Sequence, residues 1–268
     1  MDFNLSEWLN LIIRWIHVFG GIMWIGQTYF FTWLDGRFTE LLRDGAGGGP
    51  ERIWMVHSGG FYVVEKQGTP QLMPQKLHWF RWEAAVTWLS GVLLLVIVYY
   101  FGGLMVEDAA DEPVAIIAGL TVLIVAWPVY DLLYLSPLGK SEIAGGIVSF
   151  LLVVGISYVL THVMGGRAAY IHLGAMFGTL MAANVWMRIL PAQRRMVAAL
   201  MEGKKPDLTL ALRARNRSKH NTFMVVPVVF IMISNHFPTA SYGTSWNWLV
   251  LSGLVLAGWG AARIIRRA

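Results

Sequence analysis

The stretch Leu77–Gly91, LHWFRWEAAVTWLSG, decides how this chain is read, because a polar segment runs there directly into an apolar one. It crowds His78, Arg81 and Glu83 with Trp79, Trp82 and Trp88. At about 3.6 residues per helical turn, His78, Arg81 and Trp82 share a face, with Trp79 and Glu83 beside it. Two readings follow. One is the mouth of a site at a membrane boundary. The other is an interfacial belt, in which tryptophans sit at headgroup level and an arginine snorkels to phosphate.

Outward from this stretch the apolar residues come in runs rather than at amphipathic spacing, with 56% hydrophobic and 14% charged residues. That pattern is an all-α membrane protein, a single transmembrane domain over residues 1–268. The net charge of +5 marks cytoplasmic loops and anionic lipid rather than nucleic acid, so membrane lipids are an expected partner and nucleic acid is not. The absence of cysteine excludes disulfides, thiolate metal sites, iron–sulfur clusters and covalent haem attachment. A metal or haem would have to be held by His, Met or carboxylates. The N-terminal MDFNLSEWLN carries acids where a signal peptide carries bases, so the first span is expected to be retained.

About seven segments reach the roughly 20 residues needed to span hydrocarbon. They are Trp8–Leu34, Glu83–Val106, Pro113–Leu135, Glu142–Met164, Ala168–Leu190, Asn221–Phe237 and Trp246–Ile265. Lys and Arg concentrate in the first and fifth connectors and the C-terminal tail, with Lys140 in the third; the second connector, EDAADE at 107–112, is acidic, the fourth holds only Arg167 and the sixth has neither Lys nor Arg. The positive-inside rule therefore puts the N-terminus outside and the C-terminus in the cytoplasm. The expected location is a cytoplasmic membrane, crossed several times. The first connector, 35–76, opens with a Gly-rich piece at 45–50, continues as RIWMVHSGGFYVVEK with a turn expected at Gly59–Gly60, and closes with TPQLMP. It is expected to pack on the inner face. The fifth, 191–219, spaces apolar residues at three and four and reads as basic amphipathic helices meeting lipid phosphates.

The seven histidines sort by depth. His17, His162, His172 and His236 fall in the outer half; His57, His78 and His220 share the inner face. Imidazoles on facing helices can ligate haem, hydrogen-bond between helices or relay protons, and all three readings stay open. For haem b, His17 and His172 are the expected axial pair because they lie deepest, with His162 and His236 as alternatives. Gly174 and Gly178, with Ala182, offer a face for close packing about 160° from His172. Asp131, after Pro128, is expected to cap or to pair with Lys140. On the inner side, His57, His78, His220, Arg81 and Glu83 form a candidate catalytic pocket under Trp54, Trp79 and Trp82. A guanidinium and flat aromatic walls suit a planar anion, and a His–Glu pair can move protons. A metal is the other reading, though no HxxxH or HExxH spacing supports it.

WLNLIIRWIHVFGGIMWIGQTYFFTWLD (8–35), VHSGGFY (56–62), LHWFRWEAAVTWLSG (77–91), THVMGGRAAYIHLGAMFGTLMAANV (161–185), RSKHN (217–221) and ISNHFP (233–238) together resemble the membrane domain of the bacterial membrane-integral urate oxidases, or urate hydroxylases. The resemblance implies oxidation of urate to 5-hydroxyisourate, with electrons passed to cytochrome c. In that family the membrane domain precedes a further span and a cytochrome c domain; this sequence carries no CxxCH, so the expected cytochrome c is a separate partner. With Arg81 as anion clamp and His78, His57 or His220 as acid or base, electrons would pass outward through haem b. The alternative is a non-catalytic subunit, haem-binding or haem-free, joined to other membrane subunits of a respiratory or photosynthetic complex. A small-anion transporter is the third reading, but neither broken helices nor repeated halves stand out.

Overall fold

The computed structural model describes residues 4–43, 51–67, 76–106 and 111–266. The Gly-rich run, the TPQLMP segment and most of the acidic connector lie outside them. The described residues form seven helical rods and one hairpin. In chain order these are α1 (Leu5–Arg43), β1 (Arg52–His57), β2 (Gly60–Glu65), α2 (Trp82–Leu95), α3 (Glu112–Leu135), α4 (Glu142–Val163), α5 (Gly166–Ala183), α6 (Leu190–Met201), α7 (Leu208–Ser234) and α8 (Asn247–Ile265). A π-helical turn, Val96–Tyr100, extends α2, and a second, Asn184–Ile189, joins α5 to α6 in one rod.

Six rods are long and apolar enough to cross a membrane, so this is a multi-pass membrane bundle. They are Leu5–Arg43, Trp82–Tyr100, Glu112–Leu135, Glu142–Val163, Gly166–Met201 and Asn247–Ile265. Trp15, Phe19 and Ile22 of α1 stay well exposed, as a face turned to lipid requires. The rod α7 is not among the six, because Arg213, Arg215, Arg217 and Lys219 occupy its first half; the expected span beginning at Asn221 is its second half. The segment expected as a separate surface helix thus runs unbroken into the bundle.

The rod α5 is the axis of packing, touching α2, α3, α4 and α7, and most of its residues are buried. Gly174 permits the closest approach: a Cβ there would lie 2.8 Å from the Ile231 side chain of α7. Gly258 of α8 does the same against Pro227 of α7, at 2.9 Å. The rod continues through Pro191, which lacks a backbone N–H for the preceding turn. The wider π turn immediately before it is where the helix absorbs that loss. The expected boundary at Leu190 is therefore not a break.

Beyond Leu34, α1 continues nine residues further than the expected span, since Leu34, Phe38 and Leu41 keep an apolar stripe. The hairpin covers that stripe: Leu34, Phe38 and Ile53 form a small core with Leu41, Met55 and Val64. Its turn is Ser58–Gly59, with φ of 50° and 77°, rather than Gly59–Gly60. Two successive positive φ values give the tight turn whose twist matches antiparallel strands. The pairing sets Trp54 against Val63 and Val56 against Phe61 on the opposite, exposed face.

Candidate functional site

Four of the buried polar side chains, Asp131, Asn184, Arg217 and Asn221, come together where α3, the π turn after α5, and α7 meet. Along α3, Trp127, Tyr130, Asp131 and Tyr134 fall at helical spacings of three and four and so share a face. Asp131 is buried and accepts from two arginines. Arg217 of α7 reaches its Oδ1 at 2.7 Å and its backbone oxygen at 3.3 Å. Arg188 of the π turn donates through Nε to Oδ1 at 3.0 Å and through Nη2 to Oδ2. The side chains of Asp131 and Arg217 are each 6% exposed, whereas Arg188 is 40% exposed. Two guanidiniums against one carboxylate leave an excess positive charge.

Around this ion pair runs a directional chain of hydrogen bonds. Asn221 of α7 donates through Nδ2 to the Met181 carbonyl at 3.0 Å. Asn184 donates through Nδ2 to Oδ1 of Asn221 and to the Tyr130 hydroxyl, both at 3.0 Å. Tyr130, having accepted from Asn184, has its own proton left for Nδ1 of His220, 2.7 Å away. His220 lies against the Tyr130 and Tyr134 rings, the latter with centroids 4.2 Å apart. Arg217 sits over the Tyr130 ring at 4.7 Å. Three buried polar atoms at this place have no partner among the described residues: Oδ1 of Asn184, Nη1 of Arg217 and Nε1 of Trp127. Unpaired buried polar atoms are costly, and π turns recur at functional sites. Two unpartnered donors and one unpartnered acceptor thus stand beside the excess positive charge.

Of the five residues of the expected catalytic pocket, only His220 joins this cluster. Asp131 pairs with Arg217 and Arg188 instead of Lys140, and Arg217 is buried instead of meeting lipid phosphate, because it shares the inward face of α7 with Asn221 four residues on. Arg81 precedes α2 and lies over the Trp82 ring at 5.2 Å; Trp82 in turn meets Trp186 at 6.0 Å. On the π turn, Asn184 and Arg188 contact α3 and α7 while Trp186 contacts α2. Arg81 thus stands on the other flank of the α5 rod. Its Nε and the Oε2 of Glu83 are also buried without partners among the described residues. His78 is exposed and packs edge-on against Phe80, which meets Phe31 of α1. His57 is exposed beside the hairpin turn. Among the described residues, no three His, Asp or Glu side chains converge as a metal site would need.

The outer histidines stand apart from one another. His17 of α1 donates from Nδ1 to the Thr87 carbonyl at 2.9 Å, beside Ser90 Oγ at 3.2 Å. Its ring occupies the space over Gly91, where a Cβ would come within 2.9 Å of it. His172 of α5 is fully buried and donates from Nδ1 to the Ala168 carbonyl at 2.8 Å. Both therefore carry the lone pair on Nε2, the nitrogen left able to ligate a metal. The lone pair of His172 accepts instead from the Tyr100 hydroxyl at 3.2 Å, and its ring closes against Gly119. His17 touches α2 near Ser90 and His172 touches it near Tyr99, roughly 14 Å apart along the helix axis at 1.5 Å per residue. The two imidazoles do not share a slot for one macrocycle. His162, hydrogen-bonded to the Tyr158 carbonyl and lying on the Tyr158 ring, and His236 are exposed at helix ends.

No curated protein and no solved structure matches the chain. A protein-family model described as Urate oxidase N-terminal matches residues 3–266, nearly the whole sequence. The chain that builds this polar cluster inside a membrane bundle therefore belongs to the urate oxidase N-terminal family.

Proposed function

We propose that the protein oxidises urate to 5-hydroxyisourate, holding the purine at the Asp131–Arg217–Tyr130 cluster and passing the two electrons one each to two molecules of a separate ferric cytochrome c. The observation that carries this reading is the pair of unpartnered buried atoms, Arg217 Nη1 and Asn184 Oδ1, beside an ion cluster with surplus positive charge. Urate is planar and anionic and presents carbonyl oxygens and ring N–H groups. Arg217 would donate to an oxygen, Asn184 would accept from a ring nitrogen, and Tyr130 and Tyr134 would flank the ring.

Water adds its oxygen to C5 of urate, and two electrons and two protons leave to give 5-hydroxyisourate. Tyr130 would take a proton from the attacking water while passing its own to Nδ1 of His220, along the 2.7 Å contact. Asn184 keeps the phenol oriented by donating to its oxygen. Haem b does not fit between His17 and His172 as they stand, since they occupy different levels, so no step is assigned to it.

The test is urate consumption by the purified protein with ferric cytochrome c as acceptor. Tyr130→Phe keeps the ring and removes the relay; turnover is expected to fall by about 10²-fold or more. Wild-type turnover in Tyr130→Phe would refute the relay, and no turnover by the native protein would refute the reading. Arg81→Ala in the same assay decides the other flank: unchanged turnover removes Arg81 from the site. The subunit reading draws support from the exposed hairpin face of Trp54, Val56, Phe61 and Val63. It predicts copurification with other membrane chains that Phe61→Ser abolishes.

A further inference from the structure

A proton handed from Tyr130 to Nδ1 of His220 needs a way out of the bundle, and the surroundings of that imidazole supply one. Nδ1 is occupied by the Tyr130 hydroxyl at 2.7 Å. Nε2 has no hydrogen-bond partner among the described residues and is not sealed in, unlike Arg217 Nη1 and Asn184 Oδ1. The ring lies on Tyr134, with centroids 4.2 Å apart. Tyr134 in turn packs on the first two turns of α4: a Cβ at Gly145 would lie 3.0 Å from its ring, and its hydroxyl is 3.0 Å from Ser149 Oγ. His220 therefore sits beside the start of α4. There Glu142, in the first turn, accepts from Nζ of Lys219 at 2.7 Å. The Glu142 side chain is 80% exposed, so it reaches from the edge of the cluster to water. The groups acting on the ring are Arg217 and Lys219 from its own helix, Glu142 from α4, and the Tyr130 and Tyr134 phenols from α3; Arg263 of α8 acts on Glu142. Burial, then Arg217 and Lys219, disfavour an imidazolium here, and Glu142 favours it. A proton delivered to Nδ1 is thus driven off the ring on its carboxylate side.

We propose that His220 and Glu142 form the proton outlet of the polar cluster, Nε2 releasing to the Glu142 carboxylate, directly or across a bridging water, and Glu142 releasing to the aqueous inner surface. The inference rests on the urate reading for the source of its protons. The transfer balances: the Tyr130 O–H proton bonds to Nδ1, the N–H bond at Nε2 breaks, and that proton adds to a Glu142 oxygen, which then gives it to water. A flip of the ring returns the N–H to Nε2 for the second proton of the turnover. Lys219 holds the carboxylate in place and is a positioning residue.

The test uses the full chain in nanodiscs, with urate and ferric cytochrome c in weakly buffered solution. Glu142→Gln keeps the shape and removes the acceptor. Turnover is expected to fall by about tenfold or more, and added imidazole, a small base with access to Nε2, is expected to restore most of it. Lys219→Met breaks the same ion pair but keeps the carboxylate, so a smaller loss that imidazole does not repair is expected. Native turnover in Glu142→Gln, or equal losses in the two variants that imidazole leaves untouched, would overturn the outlet and leave the urate reading standing. Absence of turnover in the native protein would remove the urate reading, and the outlet is then decided without substrate. Deuterium exchange of the His220 ring C2–H, followed by mass spectrometry across pH, titrates the imidazole in place. Its midpoint is expected to move down in Glu142→Gln and up in Lys219→Met. Midpoints that stay together, or that move the same way, overturn the outlet.

Discussion

Replacing Asp131 by Asn is the most informative perturbation of the bundle, because shape is kept and only charge is lost. In the native protein the Arg217 guanidinium is 6% exposed and meets the Asp131 carboxylate at 2.7 Å. Without that carboxylate it is a buried charge with no counter-ion, a condition that costs about 3–5 kcal/mol. The Arg188 contribution is small, about 0–1 kcal/mol, because that side chain is 40% exposed and can turn to solvent or headgroups. Asp131→Asn should therefore destabilise by about 3–5 kcal/mol, nearly all of it through Arg217. Removing the stranded charge as well should recover most of the loss, since replacing a whole buried pair by uncharged groups is close to neutral. Equilibrium unfolding in mixed micelles, followed by tryptophan fluorescence, measures both single variants and the double variant Asp131→Asn/Arg217→Met as a cycle. The double variant should be more stable than Asp131→Asn alone. A double variant that loses the sum of the two single costs, or an Asp131→Asn protein as stable as the native one, would refute the reasoning.

Three further outcomes follow from local geometry. Gly91→Ala would set a Cβ 2.9 Å from the His17 ring, which its bond to Thr87 holds in place, so a loss of about 1–3 kcal/mol is expected in the same unfolding assay. Gly253→Ala, with nothing within 4 Å, should be neutral or slightly stabilising; equal effects at the two positions would contradict the contact. Ile53→Asp should detach the hairpin from Leu34 and Phe38, speeding proteolysis between residues 52 and 65 while the melting temperature of the bundle holds; faster proteolysis together with a lowered melting temperature would show that the hairpin is integral to the bundle. Asp207 caps α7, and hydrogen bonds from Thr209, side chain and then backbone, hold its carboxyl below the ordinary aspartate range. A depressed folded pKa gives stabilisation that is complete above the unfolded value and lost as pH falls through the folded one. Amide protection in the first turn of α7 should follow that acid limb in the native protein and lose it in Asp207→Ala.

Much of the fold is written in apolar run length. The spans expected at Pro113–Leu135, Glu142–Met164 and Trp246–Ile265 match α3, α4 and α8 to within a residue at either end. The misplaced boundaries are those drawn by charge. Arginines after Leu190 and before Asn221 signal the end of hydrocarbon, but they do not stop a helix, so α5 to α6 and α7 each run on as one rod. The same blindness hid the polar cluster. Counting Arg217 with Arg213 and Arg215 as loop charge ignores that only Arg217 shares the face of Ala214 and Asn221, both buried. The detectable signal was the recurrence of polar residues four apart, Asn184 with Arg188 and Arg217 with Asn221, inside or bordering apolar runs. Depth counting sorted the histidines along single helices. It carried no information on how antiparallel neighbours align, which is what separates His17 from His172.

The account stands most directly on the spare N–H of Arg217. Equilibrium dialysis of urate against the native protein and Arg217→Lys isolates it, because lysine keeps the charge facing Asp131 and removes the free Nη1. The account predicts saturable urate binding that weakens about tenfold or more in the variant, consistent with loss of a charge-assisted hydrogen bond, with folding intact by tryptophan fluorescence. Equal affinity in the two proteins, or no saturable binding by the native one, would contradict it.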